Sequence, residues 1–177
     1  MSEPREPYSP RQALRALAEH GVAFIVIGGI AASAHGSSQL TFDLDICYER
    51  SRENLERLAQ ALQQMHATLR GAPPDLPFRL DARTLAAGDS FTFSTDHGDL
   101  DCLGTPSGTS GYDDLLRGAT KIELEGVAVK MAGLDDLIRM KRAAGRAKDL
   151  YALEILGALR DELDNEPPAD TPPPNLR

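Results

Sequence analysis

A pair of glycines followed by two closely spaced aspartates constrains this chain more than any other feature. Val22–Ile27 is a short β-branched apolar run that leads directly into Gly28 and Gly29. Such a run is typical of a buried strand, and glycines after it favour a tight turn into the next element. A second strand-like run then contains Asp43 and Asp45. Because alternate residues of a strand point to the same face, we expect the two carboxylates to lie side by side.

Two carboxylates this close indicate a bound cation. Like charges repel strongly at short range unless something positive lies between them. A divalent ion such as Mg²⁺ takes carboxylate oxygens and keeps coordination positions open for phosphate, so Asp43 and Asp45 are candidate metal ligands. An acidic strand edge or turn is the alternative, since a single Asp-x-Asp also arises by chance.

A second Asp-x-Asp, formed by Asp99 and Asp101, strengthens the metal interpretation. If its strand lies beside the first one in the sheet, Asp101 can join Asp43 and Asp45. Three carboxylates around metal ions are what in-line phosphoryl or nucleotidyl transfer requires. Asp99 lies nearer a predicted hairpin turn, and we interpret it as a turn-capping residue.

The residues around the glycine pair add phosphate-binding candidates. A glycine turn between a strand and a helix lets the backbone approach a phosphate closely, although Gly28 and Gly29 could equally satisfy steric needs. Thr41 supplies a hydroxyl close to the aspartates, and we interpret His35 as structural.

Charge and cysteine content narrow the function classes. The net charge of −8 argues against a protein that coats nucleic acid without specificity. Residues 130–149 are locally basic, with six Lys or Arg against three Asp or Glu, and form a plausible phosphate-binding segment. The two cysteines, Cys47 and Cys102, lie in apolar strand-like stretches without metal-ligand spacing, so we expect buried, reduced thiols.

The order of predicted elements favours an α/β (α+β) fold, with a mixed central sheet flanked by helices and C-terminal helices packed on it. We expect one domain over residues 1–163, with 1–9 as a flexible N-terminus. Residues 164–177 are rich in proline and acid and should form a disordered tail. No apolar run approaches the roughly 20 residues of a membrane span, so we expect a soluble, cytoplasmic protein.

Taken together, these motifs resemble the nucleotidyltransferase superfamily, whose fold is shared with DNA polymerase beta. The resemblance rests on the glycine pair, a short helix, His35-Gly36, the Thr41-x-Asp43-x-Asp45 motif and a distant Asp101. The segment 127–150 is also similar to the C-terminal signature of minimal bacterial nucleotidyltransferases related to abortive-infection toxins. The resemblance spans roughly residues 22–156.

The resemblance implies roles for individual residues. Asp43, Asp45 and Asp101 would bind Mg²⁺ or Mn²⁺ and form the catalytic centre, with an NTP as substrate. The nucleotide-binding residues would be Gly28, Gly29, Thr41, Lys141, Arg146 and Lys148. Asp149 would orient a basic neighbour.

The activity that the resemblance implies is magnesium-dependent transfer of a nucleoside monophosphate from an NTP, such as ATP, to an acceptor hydroxyl. The acceptor could be RNA (a tRNA 3′ end especially), a protein or a small molecule. The protein could also be the toxin of a toxin–antitoxin pair, with a cognate antitoxin as partner. The alternative is a catalytically degenerate domain that binds a nucleotide or a partner, because Gln39 stands where related sequences often carry arginine.

Overall fold

The computed structural model describes residues 8–166 and, among them, every side chain except that of Lys148. In this part of the chain the helices are α1 (Pro10–Glu19), α2 (Gly28–Ala34), α3 (Arg52–Gln64), α4 (Ala82–Ala87), α5 (Tyr112–Leu116), α6 (Leu134–Ala144) and α7 (Ala147–Asn165). The strands are β1 (Phe24–Ile27), β2 (Asp43–Tyr48), β3 (Thr68–Leu69), β4 (Ser90–Thr95), β5 (Gly98–Leu103), β6 (Thr120–Leu124) and β7 (Val127–Met131).

The strands form one seven-stranded mixed sheet in the order β3-β4-β5-β2-β1-β7-β6. Strand β2 runs parallel to β5, and β1 runs parallel to β7, while the other neighbours are antiparallel. Helices pack against this sheet, and α6 and α7 contact each other. The predicted fold class, a mixed central sheet with flanking helices, is confirmed.

Apolar residues at helical spacing form the core between helices and sheet. Helix α1 buries Leu14 and Leu17, and α3 buries Leu55, Leu58 and Leu62 against the strands. Burying each such side chain contributes roughly 1.5–3 kcal/mol, so these stripes hold the helices in place. Both cysteines are fully buried and free, in agreement with the sequence prediction.

The element boundaries differ from the expected ones near the acidic residues. The apolar pattern of the sequence predicts a strand over residues 40–48, whereas β2 begins at Asp43, so Thr41 lies just outside it. Asp99 is a strand residue, because β4 and β5 join through the two residues between Thr95 and Gly98. Its interpretation as a turn cap is therefore wrong. The short strand β3 was not predicted, since two residues carry no periodicity.

Among residues 8–166, no helix has both the length and the apolar character that a membrane span requires. Residues 1–7 of the expected flexible N-terminus and 167–177 of the expected disordered tail lie outside the described residues. Tyr8 is half-buried against the core, and α7 continues to Asn165.

Candidate functional site

Two neighbouring strands bring three carboxylates together. In the parallel β2–β5 pair, Asp43 lies opposite Asp99 and Asp45 lies opposite Asp101. One oxygen each from Asp43, Asp45 and Asp101 lies within 4.8 Å of the others, and all three residues are partly buried. Hard oxygen donors at this spacing fit Mg²⁺ or Mn²⁺. The sequence pattern thus predicted that these three residues lie side by side in the fold.

The electrostatics of this cluster show an excess of negative charge that Arg70 and Lys141 offset only in part. Burial, and then the charges of Asp43 and Asp101, raise the pKa of Asp45 to about 7, although Lys141 acts in the opposite direction. Burial also raises the pKa of Asp101, against the opposing effect of Arg70. Protons and a divalent cation would therefore compete for this cluster, and a bound cation would lower the pKa of both carboxyls.

The glycine pair has a clear steric role beside the carboxylates. Gly28 has a φ of +67°, and a Cβ atom there would overlap the Asp45 carboxylate. A Cβ atom on Gly29 would lie 2.7 Å from the Cβ atom of Thr41. The strand–helix turn can therefore approach the acidic residues only because these positions lack side chains. The sequence predicts a tight glycine turn with a helix that begins after it, at Ile30, whereas α2 begins at Gly28 itself.

Thr41 and His35 each make a hydrogen bond within the protein. The Thr41 hydroxyl donates a hydrogen bond to Asp43 Oδ1 at 3.0 Å and so orients a carboxylate. His35 Nε2 lies 2.9 Å from the carbonyl oxygen of Ala132, in agreement with the structural interpretation of this histidine.

Arg70 is a residue of the site that the sequence did not reveal. Its guanidinium bridges the second acidic pair, with Nη1 3.2 Å from Asp99 Oδ2 and Nη2 2.7 Å from Asp101 Oδ1. Asp99 also accepts a hydrogen bond from the Ser94 hydroxyl at 3.0 Å. Arg70 thus engages Asp99 and one oxygen of Asp101. No local motif links Arg70 to β5, because the contact arises only through pairing of β3, β4 and β5.

A basic wall formed by Lys141 and Arg146 is organised by a buried carboxylate. Lys141 Nζ lies 3.2 Å from Asp149 Oδ1, and Arg146 Nε lies 2.8 Å from Asp149 Oδ2. Asp149 is only 1% exposed. Burial would raise the pKa of Asp149, but the hydrogen bonds from Arg146 and Lys141 hold it below its usual value. Gly145, with a φ of +62°, ends α6 and brings the two cations to this carboxylate. The side chain of Lys148 lies outside the described residues.

One cavity of about 630 Å³ joins the acidic residues and the basic wall. Its lining includes the three carboxylates, both glycines, Gln39, Thr41, Lys141 and Arg146. Apolar residues complete it, among them Leu40, Leu103, Leu137 and Met140. A polyphosphate in this cavity would lie between a cation pair and a metal-binding cluster, which is the arrangement that nucleotide chemistry needs.

Comparisons with known proteins identify the fold. Neither the family models nor the curated proteins gave a match to this chain. Among solved structures, the chain is similar to the lincosamide antibiotic adenylyltransferase LnuA in a lincomycin-bound crystal structure. The TM-score is 0.57 at 10% identity, and the match covers 87% of this chain and 99% of LnuA.

The antibiotic-resistance factor ANT(2'')-Ia is similar in two further structures. Its solution structure matches with a TM-score of 0.55 at 13% identity, over 88% of this chain and 89% of that protein. Its crystal structure with adenylyl-2''-tobramycin matches with a TM-score of 0.52 at 12% identity, over 88% and 94% of the two chains. The expected nucleotidyltransferase fold is therefore confirmed, and identities this low establish the fold alone.

Proposed function

We propose that this protein is a metal-dependent nucleotidyltransferase that moves a nucleoside monophosphate from an NTP to an acceptor hydroxyl and releases pyrophosphate. The observation that supports this most directly is the approach of Asp43, Asp45 and Asp101 to within 4.8 Å, in one cavity with Lys141 and Arg146. An acidic metal-binding cluster opposite a cation pair suits a substrate that is itself a metal–polyphosphate complex.

In this proposal three aspartates bind the metal, and neighbouring side chains orient them. Asp43, Asp45 and Asp101 hold Mg²⁺ or Mn²⁺, which when bound neutralises phosphate charge and activates the attacking oxygen. Thr41 fixes the rotamer of Asp43 through its hydrogen bond to Oδ1. Arg70 orients Asp101 through the ion pair of its Nη2 atom with Asp101 Oδ1.

The phosphate-binding part consists of the glycine turn and the basic wall. Gly28 and Gly29 line the cavity beside Asp45, where their lack of side chains leaves room for phosphate oxygens. Lys141 and Arg146 bind phosphate charge, and Lys148 is a further candidate from the sequence. Asp149 orients both cations before the nucleotide arrives, so little side-chain entropy is lost on binding.

The proposed acceptor is a small hydroxylated molecule. The two similar proteins are an adenylyltransferase bound to lincomycin and a resistance factor bound to adenylyl-2''-tobramycin. In this chain the cavity carries apolar lining next to the aspartates, from Leu40, Leu103 and Met140, which suits the carbon skeleton of such an acceptor. RNA, including tRNA, and protein hydroxyls remain the alternatives, and ATP is the first nucleotide to test.

The toxin role, a cognate antitoxin and a cytoplasmic location stay predictions from the sequence. The degenerate alternative, a nucleotide- or partner-binding module without turnover, is favoured by Gln39. That residue lines the cavity and offers a neutral amide where an arginine would supply charge. Retention of three mutually repelling carboxylates argues for turnover.

Calorimetric titration with each NTP tests the proposal. We expect binding in the presence of Mg²⁺, none with EDTA, and none to the variant carrying Asp43→Asn and Asp45→Asn. The matched control combines Asp75→Asn and Asp113→Asn, which changes the same charge at two exposed positions. Nucleotide binding without turnover on any hydroxylated acceptor would support the degenerate module. Absence of binding to the folded wild-type protein would refute the nucleotide site.

A further inference from the structure

The loop between β5 and α5, residues 104–111, supplies one wall of the cavity. Two of its residues, Pro106 and Ser107, belong to the cavity lining. The loop directly follows the strand that carries Asp101. The position of this wall therefore decides how much room the cavity offers to a ligand of the acidic cluster.

The start of this loop is fixed by Asp89. The backbone N–H of Thr105 donates to Asp89 Oδ2 at 3.1 Å, and the Thr105 hydroxyl donates to Oδ1 at 3.0 Å. Within the loop, the Thr109 hydroxyl donates to the carbonyl oxygen of Pro106 at 2.8 Å. Hydrogen bonds of this kind between a side chain and a nearby backbone group hold a turn in one conformation. The backbone is thus restrained on both sides of Ser107.

The middle of the loop packs directly on α6. A Cβ atom on Gly108 would lie 2.7 Å from Ala143 Cβ and 3.0 Å from the carbonyl oxygen of Arg139. The φ of +78° at this position also favours glycine. Met140 and Lys141 on the same helix line the cavity. The loop wall and Lys141 are therefore both positioned by α6.

Arg139 ties the end of the loop to α6. Its Nη1 atom donates to Asp114 Oδ2 at 2.9 Å, and its Nη2 atom donates to Asp136 Oδ1 at 2.8 Å. Asp114 Oδ2 also accepts a hydrogen bond from the backbone N–H of Ser110 at 2.8 Å. The hydrogen bonds from Arg139 and Ser110 lower the pKa of Asp114 to about 2, so this carboxylate is charged at physiological pH. Arg139 lies outside the cavity lining and can affect a ligand only through the residues that it holds.

We propose that Arg139 is a positioning residue of the nucleotide site, which fixes the wall formed by Pro106 and Ser107 relative to Lys141. This inference rests on the proposed function, because it takes the cavity to bind a metal–NTP complex. A wall that is already fixed loses little conformational freedom when the ligand binds, whereas a loose loop must first be ordered at the expense of affinity. The three aspartates lie on β2 and β5, so the metal ion alone should bind independently of Arg139.

Calorimetry on Arg139→Gln tests this role. We expect the affinity for Mn²⁺ with a non-hydrolysable NTP analogue to fall about tenfold, because the loop must be ordered on binding, while the affinity for Mn²⁺ alone stays unchanged. Arg139→Lys keeps the charge and should recover part of the loss. Arg117→Gln is the matched control. Arg117 pairs with the same carboxylate, at 2.8 Å from Asp114 Oδ1, but its side chain is 76% exposed and it follows α5 directly.

A second set of variants moves the loop and leaves Arg139 in place. In Gly108→Ala the new Cβ atom presses on Ala143, so we expect a similar loss of affinity for the NTP analogue. Gly71→Ala is the control, since Gly71 has a φ of +74° and no atom lies within 4 Å of the added Cβ atom. Adding Ala143→Gly to Gly108→Ala makes room for the methyl group and should restore part of the affinity. The same change lowers the melting temperature, because glycine destabilises a helix, so affinity and stability should move in opposite directions.

Two results would overturn the inference, and they are distinguishable. If wild-type protein binds Mn²⁺ and the NTP analogue, but Arg139→Gln and Gly108→Ala bind them with unchanged affinity, the contacts of Arg139 only stabilise the fold. The same conclusion follows if Ala143→Gly lowers affinity and melting temperature together. If folded wild-type protein binds no nucleotide, the proposed function fails first and the positioning role of Arg139 fails with it.

Discussion

Asp45 and Asp149 line the same cavity, yet their surroundings are opposite. Around Asp45, burial and two further carboxylates raise the pKa to about 7. Around Asp149, which is more deeply buried, hydrogen bonds from Arg146 and Lys141 keep the pKa below its usual value. One carboxylate is compensated by the protein, and the other is left with its charge unbalanced.

This difference indicates that Asp149 stabilises the fold, whereas Asp45 is available to bind a ligand. Asp149 also accepts a hydrogen bond from the backbone N–H of Arg146 at 3.2 Å and so caps α7. Its charge is satisfied before any ligand arrives. Asp45 receives only the opposing charge of Lys141 from the protein, so we expect its carboxylate to reduce the stability of the metal-free fold and to serve ligand binding.

The largest effect should come from placing a methyl group against Asp45. In Gly28→Ala the new Cβ atom overlaps the Asp45 carboxylate, so the metal ligands must move apart. We expect metal affinity and transferase activity to fall more than about 100-fold, beyond the usual cost of disturbing an outer-shell contact. Gly21→Ala is the matched control, since Gly21 has the same φ of +67° and a Cβ atom there would meet only the end of the Arg57 side chain, at 4.0 Å. Equal losses in both variants would attribute the effect to backbone strain.

Removing the charge of Asp149 should weaken the fold. Asp149→Asn leaves Lys141 and Arg146 without their counter-ion and weakens the cap of α7, so we expect a loss of about 2–3 kcal/mol in the free energy of unfolding. Chemical denaturation measures this loss. Asp161→Asn, an exposed position on the same helix, should change stability by less than about 0.5 kcal/mol. If Asp149→Asn were as stable as the wild-type protein, Asp149 would not stabilise the fold, and its proposed difference from Asp45 would be wrong.

Removing the charge of Asp45 should instead stabilise the metal-free fold. The pKa of Asp45 is raised from 3.8 to about 7, so the folded state binds its proton more tightly than the unfolded state does. Wild-type stability therefore falls as the pH rises from about 4 to about 7, and Asp45→Asn lacks this slope. Without metal, we expect the variant to be more stable near pH 8, by at most the roughly 4 kcal/mol that a shift of this size represents, with the gain disappearing near pH 4. A variant that is less stable at pH 8 would show that Asp45 is structural.

The smallest effect should come from Lys141, which is shared between the two regions. Lys141→Ala removes phosphate-binding charge but leaves Arg146 on Asp149, so we expect NTP affinity to fall about tenfold while Mn²⁺ affinity changes little. Calorimetry with each ligand separates the two effects. Arg142→Ala, at the exposed neighbouring position, is the control. Unchanged NTP affinity in Lys141→Ala would remove Lys141 from the site.

Local patterns predicted much of the fold. The β-branched run before Gly28 predicted β1, all four residues of which are buried. In α3, Leu55, Leu58 and Leu62 recur at helical spacing because one face of the helix is buried. Boundaries were less accurate, as at β2, because a few flanking residues of high strand propensity do not pair with a neighbouring strand.

The site was predictable where its residues belong to short motifs and hidden where the sheet assembles it. Asp43, Asp45 and Asp149 stand within local patterns, and Asp101 belongs to a second copy of the same pattern. Arg70 contacts Asp101 only because β3 joins the edge of the sheet.

The parallel pairing of β2 with β5 has a consequence for the newly made protein. Parallel strands cannot be joined by a hairpin, so Asp45 meets Asp101 only after the intervening chain has been synthesised and folded. The basic wall comes later still, with Lys141 and Asp149. The cavity that joins the acidic cluster to the basic wall can therefore form only after residues up to at least 149 have been synthesised, and we expect a shorter nascent chain to lack the proposed site.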